Sequence, residues 1–198
     1  PKTIAKLVVD GRYSYPYLPE GIYADLREAV SSRERIVKEL NAITNRIKRW
    51  LKIYFPEYLV VYKNFSAESG LTVLETVPLP QDIVQLGPEG VNQLWRDKKL
   101  RAVGMKRALT LVEAAHNSIG LPGGNCARME IQLLLEDFRT KQSQLEMITE
   151  VLEEETLSVP YADKLLAIKG VGLITVAGFL AEVGDVRRFD SPKQIQKL

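Results

Sequence analysis

From Gly21 to Phe55 the apolar residues return at every third and fourth position, and that repeat leaves the chain few ways to fold. With Ile22 as a d position, the seam runs Ile22, Leu26, Ala29, Arg33, Ile36, Leu40, Ile43, Ile47, Trp50, Tyr54. This is the alternation of a helix that buries one stripe against another helix, and only Arg33 interrupts it. A helix is therefore expected over about 21–55, ending at Phe55-Pro56 because the residue before a proline is pushed out of the helical region. A second long helix, about 125–155, carries its seam at Ala127, Ile131, Leu134, Phe138, Lys141, Leu145, Ile148 and Leu152. Residues 33–52 hold seven basic side chains against Glu34 and Glu39, whereas 130–155 hold eight acidic ones against Arg139 and Lys141. Opposite charge makes the two helices natural partners in an antiparallel coiled coil. The pairing can close within one chain or between the copies of a homodimer or higher homo-oligomer, and the sequence leaves both open.

The remaining segments are read around that pair. Residues 2–9 suggest a helix stopped by Asp10-Gly11, and a Tyr/Pro-rich connector runs from Arg12 to Glu20. Between 57 and 120 the pattern is helical but broken: Leu71–Thr76, Pro80–Leu86, Pro88–Lys99 and Lys106–Ile119, with a weak strand at Leu59–Tyr62. A Gly/Pro loop, 120–125, precedes the second long helix. The fold class is all-α: long antiparallel coiled-coil helices plus a small helical domain with a helix-hairpin-helix. The expected divisions are 1–20, 21–155 and 156–198.

That hairpin is the run Leu165-Leu166-Ala167-Ile168-Lys169-Gly170-Val171-Gly172-Leu173-Ile174-Thr175-Val176-Ala177. Two apolar runs flank Gly-Val-Gly, so two short helices joined by a tight turn are expected, with glycine permitting positive φ and close approach of a ligand. Unpaired N–H groups at the start of the second helix, its dipole and the Lys169 charge together suit a phosphate. Such a device grips a nucleic-acid backbone without reading bases. The candidate contacts are Lys169, Gly170, Gly172, Leu173 and Thr175, then Arg187 and Arg188, then Arg46, Lys48 and Arg49 on the basic face of the first long helix. A further basic run, Arg96, Lys98, Lys99, Arg101, Lys106 and Arg107, is opposed only by Asp97.

Composition excludes several alternatives. The net charge is only +2, from 27 basic and 25 acidic residues, so the chain is no uniformly basic wrapper. A single cysteine, Cys126, forbids an internal disulfide and fits a reducing, cytoplasmic setting. No apolar run reaches the roughly 18–20 residues of a membrane span. One histidine, His116, and one cysteine cannot build a zinc site. The Gly120–Gly124 loop lacks the Lys-Ser/Thr ending of a phosphate-binding Walker loop. Asp10, Asp82, Asp163, Asp185 and Asp190 each stand at a turn or helix boundary, where capping accounts for them, and Ser191 precedes Pro192 in cap position. No catalytic and no metal-binding residue is assigned. The chain opens at Pro1 and stops within an expected helix at Lys197-Leu198, as a piece of a longer protein would.

The block Ile168-Lys169-Gly170-Val171-Gly172, Thr175, Ala177, Leu180-Ala181-Glu182-Val183-Gly184-Asp185, Arg188-Phe189 and Ser191-Pro192-Lys193-Gln194 resembles the C-terminal transposase domain of the insertion-sequence one-ten family. These are the DEDD-type transposases known as bridge-RNA-guided recombinases. That family writes the block as a Pro-Gly-Ile-Gly turn, an Ala-Glu-Ile-Gly-Asp helix end and an Arg-Phe before a Ser/Lys/Gln helix. Lys169 stands where the family usually has proline. Lys2–Leu7 resembles the helix closing the family's RuvC-like domain, and Phe55-Pro56-Glu57 the end of its first coiled-coil helix. Residues 57–125 match in layout more than in motif.

The resemblance implies a parent enzyme that mobilises an insertion sequence by cutting and rejoining DNA, guided by an RNA and using Mg2+. It implies that the metal-binding carboxylates precede this chain and that the catalytic serine lies beyond it. The chain itself would supply oligomerisation and DNA or RNA backbone binding, with no cofactor of its own. Two rival readings stand beside this one. A helical scaffold would use the Gly-Val-Gly turn only for packing. A repair or junction accessory protein would be expected to carry a second hairpin copy, which the sequence lacks.

Overall fold

The computed structural model describes residues 2–12, 17–101 and 103–195. Among them are ten α-helices and no strand: α1 Lys2–Val9, α2 Ile22–Tyr54, α3 Tyr58–Val61, α4 Glu68–Thr76, α5 Pro80–Asp97, α6 Met105–His116, α7 Asn125–Leu157, α8 Ala162–Leu166, α9 Leu173–Val183 and α10 Pro192–Ile195. A 3-10 turn, Val186–Arg188, comes after α9. The connector expected over 12–20 falls partly outside the described residues. Its described end, 17–20, is not helical.

Two compact units form, one from Pro1–Glu34 with Glu146–Leu198 and the other from Arg35–Leu145. Both long helices contribute to both units, so the sequence-derived divisions at 20/21 and 155/156 fall inside the first.

In the Arg35–Leu145 unit, Ile43, Ile47, Trp50 and Leu51 of α2 share one core with Ala127, Ile131, Leu135 and Phe138 of α7. Partner residues run in opposite order along the two helices. Glu39 meets Lys141, and the Trp50 indole N–H donates to the carbonyl of Ala127 at 3.0 Å. The apolar seam expected from the heptads is thus buried within the chain in this unit. The other side of the core comes from α3 to α6, including Tyr58, Leu74, Ile83, Trp95 and Leu111. Trp95 is fixed by its own N–H, which donates to the Ser69 carbonyl at 2.9 Å. In the other unit, Tyr23, Leu26 and Ala29 of α2 gather with Leu152 of α7 around Val176, Ala177, Leu180 and Ala181 of α9.

The weak strand expected at Leu59–Tyr62 is replaced by the helical turn Tyr58–Val61, with Tyr62 as its C-cap. Tyr58 and Tyr62 stand one helical turn apart with rings stacked 4.9 Å centre to centre, and the Tyr62 amide donates to the Tyr58 carbonyl at 2.8 Å. A lone strand would leave its backbone groups without a ladder partner, whereas one helical turn pairs them locally while burying both rings.

The broken helices match the sequence closely. Pro80 opens α5 at the position where its missing N–H is harmless. Gly87, at φ 72°, then breaks α5 ahead of Pro88. Gly120 is a packing requirement: a Cβ there would overlap the Tyr54 carbonyl oxygen.

Candidate nucleic-acid interface

The hairpin is built from α8, a turn and α9, all in one unit. Ala162 in α8 and Val176, Ala177 and Leu180 in α9 are buried, which anchors both arms by their apolar faces. The turn is closed by the Ile168 amide donating to Leu165 and the Val171 amide donating to Ile168, at 3.2 and 3.1 Å. Gly170 takes φ 88°, a left-handed value that favours glycine. Gly172 is extended and caps α9, with no side chain supplying a capping hydrogen bond. A Cβ on Gly170 or Gly172 would meet nothing within 4 Å, so the backbone lies open to approach. Ile168, Lys169, Gly170 and Gly172 are exposed, and no carboxylate pairs with Lys169 among the described residues.

The amide donors expected from the sequence divide in two. The amides of Thr175 and Val176 both donate to the Gly172 carbonyl, at 3.0 and 3.1 Å, so Thr175 offers its exposed hydroxyl rather than its amide. The amides of Leu173 and Ile174, at the first two helical positions, precede that first hydrogen-bonded turn and remain the available donors there.

Arg187 and Arg188 are held by the fold. The Arg187 guanidinium donates to both oxygens of Asp185 at 2.8–3.1 Å, and the Asp185 side chain also accepts the Arg187 amide. These bonds keep the Asp185 carboxyl down at about 2. Arg188 donates twice to the Val183 carbonyl, at 3.2 and 2.9 Å, and lies 3.7 Å above the Tyr17 ring. It thereby satisfies the C-terminal end of α9 and covers an aromatic face. Nearby, the hydroxyls of Tyr161 and Tyr23 are 2.9 Å apart, the Val186 amide donates to Tyr161, and burial pushes the Tyr161 phenol up. Asp185 is accordingly a cap and an ion-pair partner, as its boundary position suggested.

In the other unit, Arg46 and Arg49 share a face of α2 and line an open groove of about 380 Å3 with Glu130 and Leu134. Lys48, exposed, lies outside that groove on the other side of the helix. What the sequence did not reveal is the fate of the minority charges. Arg128 of α7 is bound to both carboxylate oxygens of Asp82, at 2.8 and 2.6 Å. Arg139 forks onto both oxygens of Glu68, each at 2.8 Å, and onto Glu75 at 2.9 Å. Lys141 takes Glu39. Every cation in the 125–145 stretch of α7 is therefore neutralised, as is the one carboxylate in the 35–54 stretch of α2. The charge left on the outer faces of α2 and α7 in this unit is consequently more one-sided than composition suggests. No sequence signal marks these pairs, because their partners lie 46 to 102 positions away.

Among the described residues, no three His, Cys, Asp or Glu side chains gather as a metal site. Cys126 is free and exposed, and His116 is exposed on α6. Among them, no helix is long and apolar enough to cross a membrane.

The comparisons bear on the same hairpin. No curated protein matches the chain. The model of the transposase IS116/IS110/IS902 family matches residues 162–198, beginning at the first residue of α8 and covering the turn, α9 and the Arg187-Arg188 segment. Over that span, from Ala162 to Leu198, the chain is similar to a transposase family.

Proposed function

We propose that this chain is the coiled-coil region and the front of the catalytic-serine domain of a DEDD-type transposase, and that it grips the phosphodiester backbone of DNA or a guide RNA. The observation that carries the reading is the hairpin turn. An exposed Lys169 and an open backbone at Gly170 and Gly172 lie next to the Leu173 and Ile174 amides in the chain, at a helix start that no side chain caps. The family match over 162–198 spans the same residues and supports the reading. Arg46 and Arg49 offer a second set of contacts from α2.

The parent reaction, cutting and rejoining DNA at the ends of an insertion element, needs carboxylates that hold Mg2+ and a nucleophilic serine. The described residues gather no such donor set, so no chemical step is assigned to them. Because the α2–α7 seam in the Arg35–Leu145 unit is buried within the chain, a homo-oligomer would use outward helix faces.

The test is binding of the chain to labelled duplex DNA and structured RNA across a salt series, beside Lys169→Glu. Affinity that falls steeply with salt and drops in the variant supports the reading. Equal affinity of the two proteins would leave a helical scaffold whose Gly-Val-Gly turn only packs, a reading favoured by the internal engagement of Arg188.

A further inference from the structure

The Arg35–Leu145 unit carries a second cationic surface, around the α5–α6 connection. Six basic side chains fall between 96 and 107 with Asp97 as the only acid. Asp97 is held by the Gln93 amide at 2.7 Å. Lys98 reaches Glu75 at 3.4 Å. Arg107 is structural: it donates to the Val61 carbonyl at 2.9 Å and lies 4.5 Å over the Tyr62 ring. Arg96, Lys99, Arg101 and Lys106 are exposed and have no carboxylate partner among the described residues. Lys106, with Arg107, edges an open groove of about 620 Å3 that is also lined by Val60, Val61, Val103 and Met105.

The C-terminal end of α5 is closed by backbone hydrogen bonds, and it closes in a strained conformation. The Lys99 amide donates to the Arg96 carbonyl at 2.8 Å and the Leu100 amide to the Trp95 carbonyl at 2.9 Å. These two bonds, with Leu100 packed on the core beside buried Trp95, form the Schellman ending of a helix. In that motif the residue after the cap is left-handed and is usually glycine. Here it is Lys99, at φ 53°, the one described non-glycine residue with positive φ. A lysine is thus held in a glycine's conformation on an exposed, unneutralised rim. Packing gives no reason for it, whereas a function for the charge does.

We infer that Lys99, Arg101 and Lys106 form a second phosphate-backbone contact surface, for duplex rather than single-stranded nucleic acid. The groove presents no exposed aromatic ring on which an unpaired base could stack, since Tyr62 lies buried beneath Arg107. Exposed cations without a stacking platform suit a regular double-helical backbone. The inference rests on the reading that this chain handles nucleic acid, but on residues separate from the hairpin.

The experiment compares the chain with Lys99→Gly, with the triple Lys99→Gln/Arg101→Gln/Lys106→Gln variant and with Lys169→Glu, on random-sequence duplex DNA, duplex RNA and single-stranded DNA. Lys99→Gly should raise Tm by about 1–3 °C, because it relieves the left-handed strain, while weakening duplex binding. The triple variant should lose about tenfold or more in duplex affinity and lower the salt slope by about 2–3. Loss on one duplex and not the other identifies which polymer the surface holds. Unchanged duplex affinity and slope in the triple variant overturn the inference, as does loss confined to single strands. If only Lys169→Glu weakens binding, the hairpin reading stands and this one falls. The reverse pattern retains this surface and removes the hairpin. Absence of binding by the unmodified chain removes both.

Discussion

Lys141, the one charged residue on the α7 seam, pairs at 2.5 Å with Glu39, the one carboxylate in the 35–54 stretch of α2. Each is the exception to its helix's charge, and each neutralises the other. The pair fixes the antiparallel register of the two helices in the Arg35–Leu145 unit, and it leaves the outward face of α2 basic.

That register gives the first prediction. Glu39→Lys places like charges together and should lower stability by about 1 kcal/mol, since the pair is partly solvated. The swapped double variant Glu39→Lys/Lys141→Glu should recover most of the loss. Urea unfolding of the unmodified chain, Glu39→Lys, Lys141→Glu and the double variant measures the coupling, and a double variant no more stable than Glu39→Lys would argue against the pairing.

Arg139 should matter more than an ordinary surface arginine, because it joins α7 to two carboxylates of α4. Arg139→Met keeps much of the aliphatic stem but leaves Glu68 and Glu75 without their fork. A loss of about 1–2 kcal/mol is expected, with solvent screening of this partly exposed site included. The Glu68 carboxyl, which the Arg139 hydrogen bonds hold below its usual value, should titrate higher in the variant by NMR.

The Arg187–Asp185 pair gives a pH dependence. Asp185 has a folded value of about 2 against the usual 3.8, so its ionised form favours the folded state above about pH 4. That contribution fades as pH falls toward 2. Arg187→Gln should therefore be less stable than the unmodified protein at pH 6, and the gap should close as the pH approaches 2. A gap that stays constant across the series would remove Asp185 as its cause.

The glycines of α9 and its ends should separate by role. Gly184 has φ 71°, and a Cβ there would lie 2.6–3.0 Å from the Tyr17 ring atoms. Gly184→Ala is expected to cost about 2 kcal/mol or more through strain and clash together. Gly178, inside α9 with nothing within 4 Å of a Cβ, should instead gain about 0.5–1 kcal/mol on substitution by alanine. Gly172→Ala should leave Tm almost unchanged, because its extended backbone and open surroundings accept a methyl group. A loss of nucleic-acid affinity in that variant would then report close approach of a phosphate to the turn.

The two long helices, the broken helices between them and the glycine hairpin are legible in the sequence because each rests on local rules. The heptad repeat, Pro56, Gly87-Pro88 and Gly170-Val171-Gly172 constrain the backbone within a few residues of themselves. The weak strand at Leu59–Tyr62 misled because a leucine followed by two β-branched residues and an aromatic one suits either state, and the choice was made by the Tyr58–Tyr62 stack inside the core. Likewise, Arg187 and Arg188 read as free cations until Asp185, Val183 and Tyr17 are seen around them. The sequence by itself determined where helices start, stop and turn, and that one face of α2 and α7 had to be buried. Only the tertiary structure decided which charges are neutralised, that the seam in the Arg35–Leu145 unit closes within the chain, and that Lys99 occupies a glycine's conformation. Helix formation is settled by neighbours three or four residues apart. Charge pairing and burial depend on residues tens of positions away, whose meeting no local pattern encodes.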